Sequence, residues 1–358
     1  MGTLKVAILY GGRSVEHGVS VNSAKNIVEF IDRKKFTPLP IGISQQGKWY
    51  LNGFVSKNIK KGKPLSVQLD PGRPVFISGG KKISADVVFP VLHGTDGEDG
   101  SIQGMLKALD LPVVGTGVLG SSLSMNKIIA KRLLKEANLP IADFIPLGFY
   151  DPHHPSFEEV KKKLGLPFMV KSASLGSSVG VTKVKSKAEF LPAVEESFRY
   201  DQELLFEKYI QGREIECAIL GNDTPQASLP GEIIISKNYE FYTFDAKYVD
   251  GKAVTIDVPA HLQKTISEKI RTLSIRAFQA LKCEDYARVD LFLTSDGAIY
   301  VNEINTIPGF TNSSMFPMMW RERGISFSGL ISKLIQLSLE RNKLYNRIQH
   351  NFDSSLKF

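Results

Sequence analysis

The stretch 287–310, ARVDLFLTSDGAIYVNEINTIPGF, limits the fold more than any other segment of this 358-residue chain. Two alternating runs, RVDLFLT and AIYVNEIN, meet at Asp296-Gly297, and Asp-Gly between such runs predicts a β-hairpin. A two-residue loop at 296 and 297, or a four-residue loop centred there, sets Asp290 across from Glu303 and Arg288 across from Asn305. Directly opposed residues share a face, as do residues two apart. Arg288, Asp290, Glu303 and Asn305 therefore converge on one side, and Val289, Leu291, Leu293, Tyr300 and Ile304 form an apolar side. Opposed carboxylates, at a Cβ separation of about 5 Å, repel each other, so a positive group must sit between them. Arg288 is one candidate. A hard divalent cation such as Mg²⁺ is another, because it takes oxygen donors. A solvated face with an ordinary ion pair uses the same residues, and a three-residue loop would turn one strand over and disperse the cluster.

The chain opens with LKVAILYGG (4–12), a buried type of strand ending in two glycines. VNSAKNIVEFI (21–31) follows with Val21, Ala24, Ile27, Val28 and Ile31 at helical spacing and Ser20 as N-cap. Strand, glycine turn and helix begin a doubly wound α/β unit. ADVVFPVLHG (85–94) and LPVVGTG (111–117) read as further buried strands, with the helix SIQGMLKALD between them. SMNKIIAKRLLKEANLP (124–140) reads as a helix ending before Pro140. The expected fold class is α/β and α+β in three parts. The first is an N-terminal parallel-sheet domain over 1–120. A central hairpin-and-helix domain spans 121–212. A strand-rich third domain over 213–358 holds the hairpin and a long basic helix from about Phe327.

Composition narrows the chemistry. No segment has the apolar length of a membrane span, and VAILY is too short for a signal-peptide core. Cys217 and Cys283 are the only cysteines and form no C-x-x-C pair, so a reduced, cytoplasmic protein is expected. The formal charge is +8, with lysines dispersed apart from KNIKKGKP (57–64). Basic residues do not interleave with aromatics, so the charge suits solvation and phosphate-bearing small substrates, with neither nucleic acid nor membrane as partner.

Four other stretches carry candidate chemistry. MVKSASLGSSVGV (169–181) has a Gly/Ser turn able to aim backbone N–H groups at an anion, with Lys171 at its base; a flexible hairpin loop is the alternative, and no P-loop pattern is present. FEKYIQGREIE (206–216) sets Glu207, Lys208 and Glu214 about Gln211-Gly212, either as a charged strand end or as a reader of adenine and ribose. YGGRSVEHGVS (10–20) brings glycines to a helix start, where a ligand can approach the backbone; Glu16 there is a helix-start carboxylate or an anchor for a substrate amine. YEFYTFDAKYVDGK (239–252) offers Lys247 and Tyr248 on a surface loop or a mobile flap. The six histidines lack metal-binding spacing, and only His93, at a strand's C-terminal end, is expected near a site.

In order, these segments resemble the ATP-grasp superfamily and, within it, the D-alanine–D-alanine ligases. YGGRSVEHGVS looks like that family's first signature. VLHGTDGEDGSIQGMLKALDLPVVGTGVLGSSLSMNK (91–127) is similar to its interdomain stretch. ARVDLF with VNEINTIPGFTNSSMFP (301–317) resembles its second signature. The resemblance implies a two-part ATP-grasp fold after the first domain, with a flap near 238–252. It implies ATP-dependent formation of D-alanyl-D-alanine through D-alanyl phosphate, for peptidoglycan precursors. Lys127, Lys171, Ser178 and Lys247 would hold ATP, with Glu207, Lys208, Tyr209, Ile210 and Glu214 around adenine and ribose. Asp290, Glu303 and Asn305 would hold two Mg²⁺ ions, Mn²⁺ being an alternative. Glu16 would meet the first D-alanine's ammonium and, with Ser177 and Tyr248, link the domains and flap. Arg288 and the Gly309 N–H would form an oxyanion hole, His93 would lie at the substrate, and Ser314 would bind the second carboxylate. A homodimer is implied. Tyr248 favours an amide over an ester product. Two departures stand out: Ser172 where the family usually has proline, expected to alter loop stiffness, and a long chain with added material at 56–82 and the C-terminus. A sister ligase using D-lactate or D-serine is the near alternative. A nucleotide-sensing or nucleic-acid-binding protein without catalysis is the distant one, and the presence of Arg288, Asp290, Glu303 and Asn305 argues against it.

Overall fold

A computed structural model describes residues 2–70, 75–177, 179–236 and 254–349. The expectations for Ser178, Lys247, Tyr248 and the flap lie outside the described residues.

The first strand, Leu4–Gly11, pairs in parallel with Phe36–Ile43 on one side and Val87–Pro90 on the other. Its unbroken apolar run is buried on both faces, as a central parallel strand requires. Val6, Ile8 and Tyr10 pack in one core with Ala24 and Ile27 of the helix His17–Phe30. Ala7 and Leu9 pack on the opposite face with Leu106 of the helix Ser101–Ala108. Four short strands, Trp49–Leu51, Lys63–Val67, Phe76–Ser78 and Lys81–Ile83, extend this sheet in antiparallel fashion to seven strands. The segment 56–82 is thus largely an edge extension.

Three local expectations are corrected. Ser20 lies inside the first helix rather than capping it; its hydroxyl accepts from Gly11 N–H at 2.8 Å and donates to the Val91 carbonyl. It thereby ties the ends of two parallel strands, a buried polar task that outweighs capping. LPVVGTG forms only a single bridge, Val88 with Val113, because the chain turns away at Gly115 (φ +103°). The helix expected over 124–140 is two helices, Val118–Met125 and Lys127–Glu136, divided at Asn126. Asn126 accepts from Ile129 N–H at 3.0 Å, a side-chain N-cap in place of a continuous helix.

The second sheet is antiparallel, in the spatial order Val181–Val184, Phe168–Ser172, Glu203–Lys208, Phe144–Gly148. The helices Phe157–Leu164 and Lys187–Phe198 cover its Phe-rich core. The third sheet runs Val254–Asp257, Gly231–Ile235, Arg213–Leu220, Tyr286–Leu293, Ile299–Asn305. Its inner face packs against the helices Lys264–Ala280 and Lys127–Glu136. Phe316, Trp320, Leu330, Ile331 and Leu334, from the helices Met315–Arg321 and Phe327–Tyr345, join the core beneath the first strand. That shared core fixes the third sheet against the N-terminal sheet, and the candidate site lies along the junction.

Candidate active site

The hairpin forms with a different turn from the expected one. Gly297 N–H donates to Thr294 O at 3.0 Å and Thr294 N–H to Ala298 O at 2.9 Å, with Gly297 at φ +82°. This is a three-residue loop with glycine in the left-handed position, the kind that disperses the charged cluster. The strands leave the turn with Leu293 opposite Ile299 and Leu291 opposite Val301. A bulge then intervenes, and the pairing resumes with Asp290 opposite Glu303 and Arg288 opposite Asn305. Asn302 is the extra residue; one inserted residue reverses the inward–outward sense of the strand. The predicted cluster is restored beyond it. Nearer the turn, the expected core residue Tyr300 is half-buried outside the apolar cluster, while Ile299 and Val301 lie within it.

The charges on this face are paired one by one. Arg288 donates from Nε to Asp290 Oδ1 at 2.7 Å and from Nη2 to Oδ2 at 2.8 Å. Its Nε also lies 3.1 Å from Glu216 Oε2. Asn305 Nδ2 donates to Asp290 Oδ2 at 2.9 Å. Glu303 lies 3.7 Å from Lys127 Nζ. Each opposed carboxylate thus has its own cation, which answers the repulsion inherent in the register. Asp290, Glu303 and Asn305 present hard oxygen donors on one face, a set that suits Mg²⁺.

A cleft of about 380 Å³ opens beside the hairpin, in the size range of ligand sites. Lys127, Lys171, Asp290 and Glu303 line it together with Ser177 of the glycine-rich loop. Glu207, Lys208, Tyr209, Ile210 and Glu214 line it as well. Lys127 is the first residue of its helix, where a cation opposes the helix dipole, so helix propensity does not account for it. Its Nζ donates to Leu175 O at 2.5 Å, holding the glycine-rich loop against the cleft. Lys131, one turn further along, is buried and pairs with Glu207, whose second oxygen pairs with Lys171. Burial alone would raise the Glu207 pKa, but the two lysines override it and hold it down at about 2. Burial also works against a charged Lys171, yet Glu207, Glu303 and Glu214 keep its pKa above the ordinary value.

Leu175 and Gly176 also border a smaller cleft lined by Glu16 and Gly94. Ser177 donates to Glu16 Oε1 across the two clefts, so the expected Glu16–Ser177 link is present. Ser172 N–H donates to Gly180 O at 3.1 Å at the loop's base, a bond that a proline there cannot make.

On the N-terminal side, His93 is buried by the turn that carries Gly309. Its Nδ1 bonds Ile307 O at 2.8 Å and its Nε2 bonds Ser23 Oγ at 3.1 Å, and Phe310 N–H donates to the same Oγ at 3.3 Å. Burial lowers the His93 pKa. A neutral ring donating from Nδ1 and accepting at Nε2 satisfies the whole chain of bonds, so His93 holds the turn. Glu98 does the same, accepting from Gly94 N–H at 2.7 Å and Ile307 N–H at 3.0 Å. Burial and the nearby Glu16 push its pKa up to about 8. Ser314 Oγ accepts from Thr311 N–H at 3.1 Å. A Cβ at position 309 would sit 3.3 Å from that oxygen, so glycine permits the close approach.

Lys131, Glu216, Glu98 and Asn302 are the residues that motif reading missed. Lys131 and Glu216 had a weak signal, since each lies one side-chain repeat from a predicted residue: Lys131 four after Lys127 on a helix, Glu216 two after Glu214 on a strand. Asn302 had none, because only the bulge turns it toward the cleft.

Comparison with known proteins identifies the family. Residues 5–116 match the family model described as the D-ala D-ala ligase N-terminus, and residues 133–336 match the D-ala D-ala ligase C-terminus. A D-alanine–D-alanine ligase A of Salmonella typhimurium is 45% identical, aligned over 98% of this chain and 99% of its own. A D-alanine–D-alanine ligase of Oceanobacillus iheyensis is also 45% identical, over 95% and 96%. Against the Salmonella relative, therefore, neither 56–82 nor the C-terminus makes this chain unusually long. Among solved structures, the D-alanine–D-alanine ligase from Coxiella burnetii superposes with a TM-score of 0.86 at 38% identity, covering 96% of this chain and 98% of that one. The VanG D-Ala:D-Ser ligase from Enterococcus faecalis gives 0.86 at 35% identity, covering 94% and 100%. On these matches and on the site they enclose, the chain belongs to the D-alanine–D-alanine ligase family.

Proposed function

We infer that this protein joins two D-alanines into D-alanyl-D-alanine for peptidoglycan synthesis, converting ATP to ADP and phosphate. The observation that carries the reading is the Arg288–Asp290–Glu303–Lys127 face. It opens on a nucleotide-sized cleft and abuts the Glu16–Ser177 link and the Gly309 turn.

A carboxylate is a poor electrophile, so the first D-alanine is activated by the ATP γ-phosphoryl group, and an acyl phosphate forms. Glu16 receives that substrate's ammonium. Lys127 and Lys171 hold the phosphates, and such transfer depends mainly on position and charge neutralisation. Magnesium, two ions by the family resemblance, would be held by Asp290, Glu303 and Asn305 and supplies further neutralisation at the phosphates. The second amine then attacks the acyl carbon. Arg288 and the Gly309 N–H donate to the developing oxyanion, and Ser314 holds the second substrate's carboxylate. The part of the cleft lined by Glu207, Lys208, Tyr209, Ile210 and Glu214 receives adenine and ribose. Two buried free cysteines and a requirement for ATP support a cytoplasmic setting, and no described helix is long and apolar enough to cross a membrane. The family resemblance supports a homodimer.

The VanG likeness keeps D-serine as a second reading for the acceptor. The test is phosphate release from Mg-ATP with D-alanine alone, with L-alanine, and with D-alanine plus D-serine or D-lactate, with products identified by mass. Release and dipeptide with D-alanine alone support the inference. Release only on adding D-serine or D-lactate moves the acceptor, and silence in every mixture from protein that binds ATP overturns the D-alanine reading.

A further inference from the structure

Among the described residues, Lys131 and Lys171 are the only buried lysines, and they share one carboxylate. Lys131 projects from the helix Lys127–Glu136 on the same face as Lys127, one turn away. Glu207 projects from the strand Glu203–Lys208, giving Oε1 to Lys131 and Oε2 to Lys171. The side chains of Lys131 and Glu207 are only 2% and 3% exposed. Lys171 also donates to Asn302 Oδ1 at 3.4 Å, and Glu303 and Glu214 act on its charge from further away. Two ammonium groups and one carboxylate leave the trio with a net charge of +1. Without Lys131, Glu207 and Lys171 would form a neutral pair. Charges out of water interact strongly and are expensive to leave unbalanced, so the excess charge is a costly feature of the cleft floor. Of the two lysines, only Lys171 lines the cleft.

We propose that Lys131 is a positioning residue for the ligation: by occupying one oxygen of Glu207, it weakens that carboxylate's hold on Lys171, so that more of the Lys171 charge is left for the nucleotide phosphates. The proposal deepens the reading of Lys171 as a phosphate ligand and rests on it. Lys131 touches neither ATP nor amino acid; its effect passes through Glu207 to Lys171, and the part that reaches Lys171 is read only by ligands that carry phosphate.

The test uses full-length enzyme and compares ATP, ADP and adenosine affinities by calorimetry, alongside KM values. Lys131→Met leaves the neutral Lys171–Glu207 pair, an arrangement that tolerates burial. It should lower the ATP-to-adenosine and ADP-to-adenosine affinity ratios at least about tenfold, since any disturbance of Glu207 at the adenine is common to all three ligands and cancels, while the KM for D-alanine stays within about twofold. Lys131→Arg keeps the charge and should retain the wild-type ratio of ATP to adenosine affinity. Equal losses for ATP and adenosine would reveal a merely structural lysine and overturn the proposal. So would unchanged ATP affinity in Lys131→Met, or a folded Lys131→Arg protein that loses the ratio. Lys171→Met separates the two levels: if it weakens ATP and Lys131→Met does not, the proposal alone fails; if it leaves ATP binding intact, the phosphate reading of Lys171 fails with it.

Discussion

Asp290 faces Glu303 across the hairpin only because Asn302 adds one residue to the second strand. The three-residue turn puts the strands in one register and the bulge shifts them to another. Two irregularities that would each misplace the carboxylates thus cancel. Removing either alone exchanges the inward and outward faces beyond it.

Deleting Asn302 should therefore abolish ligation as completely as Glu303→Gln does. Both variants should lower kcat at least about 100-fold, because each removes a carboxylate from the set that would hold the cation neutralising charge in phosphoryl transfer. The Glu303→Gln protein should keep its melting temperature, since Glu303 is half-buried at the cleft edge. Phosphate release and thermal unfolding check both. An active Glu303→Gln enzyme removes the metal-holding role from this face.

Arg288→Lys should cost about 100- to 1000-fold in kcat, with the KM for ATP nearly unchanged. The guanidinium makes two bonds to Asp290 while approaching Glu216 at 3.1 Å. A lysine has one compact charge and cannot reproduce that fork. Steady-state kinetics at saturating ATP decide it; a loss confined to the KM for ATP would mean that Arg288 does not serve the oxyanion.

Ser172→Pro should raise the KM for ATP by about three- to tenfold at nearly constant kcat. The serine N–H closes the base of the glycine-rich loop on Gly180 O, and its buried hydroxyl donates to Ser197 O at 3.0 Å. Proline removes the first donor outright, and alanine at 172 removes only the second bond. ATP titrations of Ser172→Pro and Ser172→Ala separate these contributions, and equal effects from both would assign the role to the hydroxyl.

Stability should depend on pH through Asp285 and Glu207 in opposite senses. Asp285 is fully buried, accepts from Gly115 N–H at 2.8 Å and lies 3.4 Å from Arg341. Burial pushes its pKa up to about 7 against the pull of Arg341. The folded carboxyl keeps its proton where the unfolded one has lost it, so stability falls as pH rises from about 4 to about 7 and then levels. Glu207, held near 2, contributes stability above its unfolded pKa that is lost as pH falls toward 2. Asp285→Asn should remove the upper slope, leaving the variant's melting temperature less sensitive to pH between 5 and 8 by about 3 °C or more. Parallel slopes in both proteins would show that Asp285 is not the titrating group.

Local pattern determined most of the segments that became strands and helices, because burial periodicity and turn chemistry act within a few residues. LKVAILYGG and the C-terminal helix from Phe327 follow directly from it. Hairpin register and the Gly/Ser turn singled out Arg288, Glu303 and Lys171, the resemblance added Lys127, and the structure gathers these side chains along one cleft and its adjoining hairpin. Tertiary structure decided how their charges are balanced. The Asn302 bulge, the sharing of Glu207 by two lysines, and the use of His93 and Glu98 to hold the Gly309 turn all depend on groups far apart in the chain. Buried charges and hydrogen bonds select their partners by distance in the folded molecule, where a low dielectric makes an unmatched group costly. No local pattern records that distance, so the sequence determined the parts of the site and the packed chain determined which part neutralises which.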